Sequence, residues 1–455
     1  MIPERFKDRM RAMLGNGYDE FIRALECEPV RGVRANLVKT NTETVTRLLG
    51  KEIKPTGYQQ NGFILESDER IGRTAEHHAG MIYVQDPGAM AALSALDIPE
   101  GAVVLDACAA PGGKSSQIAE RIGDGGFLLS NEYVPKRAKI VVSNFERLGI
   151  SNAVVTSLDT AELGKMYRGV FDLVVVDAPC SGEGMFRKSD EALDEWSEEN
   201  VLACAKRQAE ILENLVGTVK AGGRLLYSTC TYSIEENEGV VDAFLKAHPD
   251  FHLIPVRDEL RARTADGIRV CGITADGIEH CRRFYPHLCP GEGQFVALME
   301  RDGVDRVSTI LYKDGTKPLS RQENELCTRF MKDNLCEIPA GRLAKYGENI
   351  VLISHGYPVP PRSVFMAGVL VGEIQGNILK PSHQFFSVFG RKFKHRVELT
   401  ASDPRVDSYL SGLEIGAQIE NGWCSVIYEG APLGGGKASG GTVKNHYPKG
   451  LRNKG

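Results

Sequence analysis

From Val103 onward the chain alternates short, unbroken apolar runs with longer amphipathic stretches, and this alternation restricts the folds open to it more than any other feature. VVLDAC (103–108), FLLSNE (127–132), AVVTSL (153–158), DLVVVDAP (172–179) and GRLLYSTC (223–230) are rich in Val and Leu and do not alternate with polar residues. Such runs predict strands buried on both faces. KSSQIAERI, PKRAKIVVSNFERLG, ENVLACAKRQAEILENLVGTVK and EENEGVVDAFLKAH have helical periodicity, and Ser233 and Glu236 are spaced as a capping box for the last. Alternating strands and helices require a parallel sheet covered on both sides: an α/β, Rossmann-like domain. GQFVALMER, after a Gly-rich turn, reads as a late strand that closes a hairpin.

A chain of 455 residues is too long for one ordinary domain. Residues 1–75 are expected to form a small mixed unit opening with an amphipathic helix, and 76–301 the sheet domain. A further unit is expected over 302–375 and a Gly-rich basic module over 380–455. No apolar window approaches 18 residues and the N-terminus is charged, so neither a membrane span nor a secretory signal is expected. Eleven cysteines with no C-x-x-C pair fit free thiols in the cytoplasm. Cys271, His280, Cys281, His287 and Cys289 match no familiar zinc spacing, so no metal is expected. The net charge of −5 hides an asymmetry: residues 375–455 carry 11 Lys and Arg against 6 Asp and Glu. In the last 24 residues His446, Tyr447 and several glycines stand among five basic and no acidic side chains. That composition suits either an RNA-contacting surface or a solvated tail.

LDACAAPGGKSSQ (105–117) ends as a P-loop does, but a P-loop would place glycine where Cys108 stands. G-x-G-x-x-G is absent too. S-adenosylmethionine needs no phosphate cradle around its adenosine; it needs a carboxylate for its ribose hydroxyls, and Glu132 stands at the end of the second strand. Asp106, Glu132 and Asp159 follow three successive strands at one sheet edge, where ligands bind. Each also has a plainer use: a loop cap, a helix N-terminal charge and a helix N-cap.

The fourth and fifth strands end in DAPCSGEG and YSTCTYS, which brings Cys180 and Cys230 to the same edge on strands expected to be neighbours. A thiolate beside a methyl donor can add to carbon 6 of cytosine and make carbon 5 nucleophilic, a covalent route through two easier steps. Addition also needs proton delivery or a hydrogen bond at ring N3, for which Asp177, three residues before Cys180, is the candidate. Spacing leaves open which cysteine attacks.

The chain resembles the Nop/Sun family of RNA cytosine-C5 methyltransferases, and within it the bacterial 16S ribosomal RNA enzymes of the YebU type. DACAAPGGKSSQ, NEYVPKRAKIVVSNFERLG, DAPCSGEGMFRK and LLYSTCTYSIEENE carry the resemblance, with VRANLVKTN, YVQDPGAM and PLGGGKASGGTVKNHYPKGLR extending it nearly end to end. It implies a Rossmann-like methyltransferase domain with a small N-terminal domain and a C-terminal α+β extension ending in a PUA-like RNA-binding module. It implies an S-adenosylmethionine pocket from Cys108, Ala109, Ala110, Pro111, Gly112, Gly113, Lys114, Glu132, Asp159 and Asp177. Cys230 maps to the nucleophile and Cys180 to the residue associated with product release. Ribosomal RNA or the small subunit is the expected partner, with the protein a monomer. The other readings are a non-catalytic ribosome-assembly factor, which would have no use for paired thiols, and a P-loop NTPase.

Overall fold

The computed structural model describes residues 2–50, 53–66, 71–303 and 308–453. The five apolar runs form β1 (Val103–Asp106), β2 (Phe127–Asn131), β3 (Ala153–Thr156), β4 (Phe171–Asp177) and β5 (Val219–Thr229). They lie in the order β5-β4-β1-β2-β3, all parallel. The chain runs outward from β1 to β3 and returns to the other side of β1 as β4, so a crevice opens beyond the ends of β1 and β4. Val104, Leu105, Leu128, Leu129, Val154, Val174, Val175 and Leu226 are each fully buried or within 1% of it, as strands covered on both faces require.

β6 (Arg282–Phe284) and β7 (Gln294–Arg301) form the antiparallel hairpin that closes the sheet against β5. β8 (Val364–Ala367) comes from the C-terminal extension and pairs antiparallel with β3 at the opposite edge. The crossover helices are α1 (Gly113–Ile122), α2 (Pro135–Leu148), α3 (Thr160–Met166) and α4 (Glu198–Leu215), and α5 (Glu238–Ala247) follows β5. The sequence pattern carries α4 on to Lys220, but the helix stops at Leu215 and β5 begins at Val219. The β5 strand bulges between Val219 and Arg224, where Gly222 has φ 73°.

An N-terminal four-stranded sheet spans Arg31 to Val84, and two helices, Glu4–Leu14 and Tyr18–Glu26, precede it. Buried Arg34 ties this sheet to α1 through Ser116 Oγ (2.7 Å) and Glu120 (3.0 Å). The C-terminal half holds a four-stranded sheet between Arg342 and Pro381 and a five-stranded one between Arg396 and Asn445. In the latter, Tyr447 and the run Gly434–Gly436 are packing residues and not an RNA-facing surface. Tyr447 is 2% exposed and bonds His78 Nδ1 at 2.8 Å. A Cβ on Gly435 would fall 2.3 Å from the Phe386 ring. Lys437, Lys444 and Lys449 do reach solvent, and Lys454 lies outside the described residues. Among the described residues no helix is long and apolar enough to cross a membrane.

Candidate active site

At the C-terminal ends of the parallel strands lies a cavity of about 720 Å³, a size usual for a small-molecule site. Of the residues singled out in the sequence, Cys108, Ala110, Glu132, Asp159, Asp177, Cys180 and Cys230 line it. Ala109, Pro111, Gly112, Gly113 and Lys114 belong to the same loop as Cys108 and Ala110 and to the start of α1 but do not line the cavity. Gly112 turns the chain at φ 107°, which a side chain would strain. A Cβ on Gly113 would meet the Gln85 amide and the Tyr83 ring at 3.0 and 3.1 Å.

Lys114, which a P-loop would direct at phosphate, turns to Asp177 Oδ2 at 2.7 Å. Asp177 Oδ1 accepts from Ser228 Oγ (2.7 Å) and Gln294 Nε2 (3.4 Å). Glu132 accepts the backbone N–H groups of Ala110 (3.3 Å) and Val134 (3.0 Å) and faces the cavity with the bulk of its carboxylate buried. Asp159 has both of its expected uses: it caps α3 by accepting from Ala161 N at 2.8 Å, and it lines the cavity. Asp106 sits deeper, fully buried, with Oδ2 accepting Ser115 Oγ at 2.5 Å. Burial pushes its carboxyl up to about 7, opposed by the Ser115 bond. Burial likewise raises the Cys108 thiol, keeping it protonated.

The two thiols meet as strand adjacency predicts, with Cys180 Sγ and Cys230 Sγ 3.2 Å apart. That bond, reinforced by burial and the nearby Glu236, pushes the Cys180 thiol far above its ordinary range. Cys180 therefore holds its proton against the sulfur of Cys230.

Arg207, Glu210, Ile211 and Asn214 of α4 also line the cavity and were not singled out in the sequence. Their spacing places them on one helix face, a signal the sequence does carry. Ser233 and Glu236 do not form the expected capping box: α5 has Asn237 at its N-cap with no side-chain cap. Ser233 Oγ donates to Glu183 at 3.0 Å, and Glu236 binds Ser181 and Gln208. Ser233 and Glu236 are both engaged across the active-site loops, so neither caps the helix.

Comparison with known proteins places this site in a family. A profile described as 16S rRNA methyltransferase RsmB/F matches residues 93–300, one for the N-terminal domain of 16S rRNA methyltransferase RsmF matches 2–87, and one for the methyltransferase RsmF PUA domain matches 396–453. Ribosomal RNA small subunit methyltransferase F of Klebsiella pneumoniae (strain 342) is 31% identical over 99% of this chain and 96% of its own length. The chain belongs to the RsmB/F family, RsmF type. The Vibrio vulnificus (strain YJ016) member is also 31% identical, over 99% of this chain and 97% of its own. A crystal structure of a methyltransferase homologue from Pyrococcus horikoshii is 28% identical with a TM-score of 0.58, over 66% of this chain and 95% of that one. All cavity-lining residues fall inside the RsmB/F segment, and the five-stranded C-terminal sheet falls inside the PUA segment.

Proposed function

We propose that the chain methylates carbon 5 of a cytosine in 16S ribosomal RNA through a covalent adduct on Cys230. The observation that carries this reading is the pair of thiols 3.2 Å apart, opening on one cavity with Glu132 and Asp177. Paired thiols serve no purpose in a binding module.

Cys230 adds as thiolate to carbon 6; the S–C6 bond forms and the C5=C6 double bond opens, leaving an enamine. The Cys180 sulfur lies 3.2 Å from that of Cys230 and its S–H can donate to the attacking sulfur. Charge that moves to ring N3 on addition needs a proton or a hydrogen bond there, and Asp177, fixed by Lys114, Ser228 and Gln294, is placed to hold or orient the proton that N3 takes up. The lining would suit S-adenosylmethionine, with Glu132 accepting from the ribose hydroxyls and Cys108, Ala110, Asp159 and Asp177 around the rest of the donor. When bound, it supplies the electrophilic methyl that carbon 5 takes. The carbon 5 proton then passes to water, the C5=C6 double bond reforms and the C6–S bond breaks, with the Cys180 S–H donating to the departing Cys230 sulfur.

A paired cytosine shows neither ring face to a thiol, so the target is unpaired or extruded. The PUA-like module would grip the RNA around it, with Lys437 5.8 Å from the centre of the Trp423 ring and the His446 ring 4.8 Å from it, edge-on. We take the enzyme to act as a monomer in the cytoplasm. Labelled S-adenosylmethionine with unmodified small-subunit RNA, free and assembled, tests the reading: label is expected in 5-methylcytidine. Label in no nucleoside, with the donor bound, would return the chain to the assembly-factor reading.

A further inference from the structure

Among the described residues, two carboxylates beside the cysteines touch neither the cavity nor a cation, although both are essentially sealed from solvent: Glu183 is 1% and Glu236 0% exposed. Each sits on one cysteine-bearing loop and receives hydrogen bonds from the other. Glu183, on the Cys180 loop, accepts from Thr231 Oγ1 (2.9 Å), Tyr232 N (2.9 Å) and Ser233 Oγ (3.0 Å), the three residues after Cys230. Trp196 Nε1 gives it a fourth donor at 2.9 Å. Glu236, on the Cys230 loop, accepts from Ser181 N (3.0 Å) and Ser181 Oγ, the residue after Cys180. Gln208 Nε2 completes its set at 2.9 Å. Leaving such a group short of donors is costly in a buried site, so these bonds specify one arrangement of the loops.

We infer that Glu183 and Glu236 are positioning residues, each fixing the thiol on the loop opposite its own: Glu183 sets Cys230 and Glu236 sets Cys180. The assignment of different effects to the two rests on Cys230 as the attacking sulfur and Cys180 as the releasing one. It follows that the variants fail at different steps. Glu183→Gln puts an amide N–H where donors converge and displaces Cys230, so attack slows. Glu236→Gln does the same to Ser181 and displaces Cys180, so attack proceeds and release slows.

The test uses full-length protein, unmodified small-subunit RNA and S-adenosylmethionine. Turnover, donor affinity and denaturation-resistant protein–RNA adduct are measured, and dibromobimane, which bridges two nearby thiols, reports the Cys180–Cys230 pair by peptide mapping. Both variants are expected to bridge less than wild type, to bind donor normally, and to lose about 10- to 100-fold in kcat, the scale of a misplacement near 1 Å. Adduct is expected to accumulate with Glu236→Gln and to be nearly absent with Glu183→Gln. Ser181→Ala, a smaller change with less risk to folding, should share the adduct-rich behaviour. Wild-type bridging in both folded variants would overturn the inference. So would matching adduct levels, provided that Cys180→Ala does accumulate adduct. Reduced bridging with no adduct from Cys180→Ala would leave the positioning intact and remove the proposed roles of the thiols.

Discussion

Replacing Gly184 with Ala is expected to damage catalysis with little effect on donor binding. A Cβ there would lie 2.6 Å from the Cys230 carbonyl oxygen, 2.7 Å from the Gly293 carbonyl oxygen and 2.8 Å from Gly293 Cα. All three are backbone atoms, so no side chain can swing away. Restoring an ordinary contact of 3.4 Å requires the loops to part by about 0.8 Å. The Gly184 N–H also donates to the Cys230 carbonyl at 2.7 Å, so the parting acts directly on the residue bearing the sulfur. A displacement near 1 Å costs on the order of 100-fold in rate. Overpacking of this kind costs about 1–3 kcal/mol in stability. Single-turnover methyl transfer, donor affinity by calorimetry and a thermal melt separate the effects. Gly184 is absent from the cavity wall, so donor affinity should hold while the methyl-transfer rate falls at least 10-fold. A folded variant with the wild-type rate would refute the claim that thiol placement is held this tightly.

Arg283 and Glu238 form a buried ion pair, with side chains 2% and 0% exposed. Arg283→Met should destabilise by about 3–5 kcal/mol because it strands a buried charge, and Arg283→Met with Glu238→Leu should recover much of that in chemical denaturation. Asp106→Asn should stabilise the protein increasingly from pH 4 to 7. The folded carboxyl keeps its proton to about 7 while the unfolded one loses it near 3.8, so wild-type stability falls as pH rises through that window and levels off above it. The gain, at most about 4 kcal/mol, should be greatest above pH 7. A pH-independent difference in melting temperature would contradict the burial argument.

The core strands were legible because burial on both faces leaves an unmistakable signature, and the meeting of Cys180 with Cys230 followed from their place at the ends of adjacent strands. β8 was not legible. Four residues of an edge strand carry little pattern, and their pairing with β3 joins positions about 200 apart in the chain. The Ser233 and Glu236 spacing was misread because S-x-x-E serves a helix cap and a loop brace alike; only the presence of Ser181 and Glu183 nearby in space decides between them. The packing role of Gly434 and Gly435 was not legible for a related reason: composition records that side chains are missing, but not that the rings of Tyr409 and Phe386 fill the space.

The central claim is tested most directly by incubating Cys180→Ala with unmodified small-subunit RNA and S-adenosylmethionine and mapping the site of covalent linkage by mass spectrometry. The account predicts an RNA adduct on Cys230 that vanishes in the Cys180→Ala/Cys230→Ala double variant. An adduct on another residue, or methyl transfer surviving in Cys230→Ala alone, would contradict it.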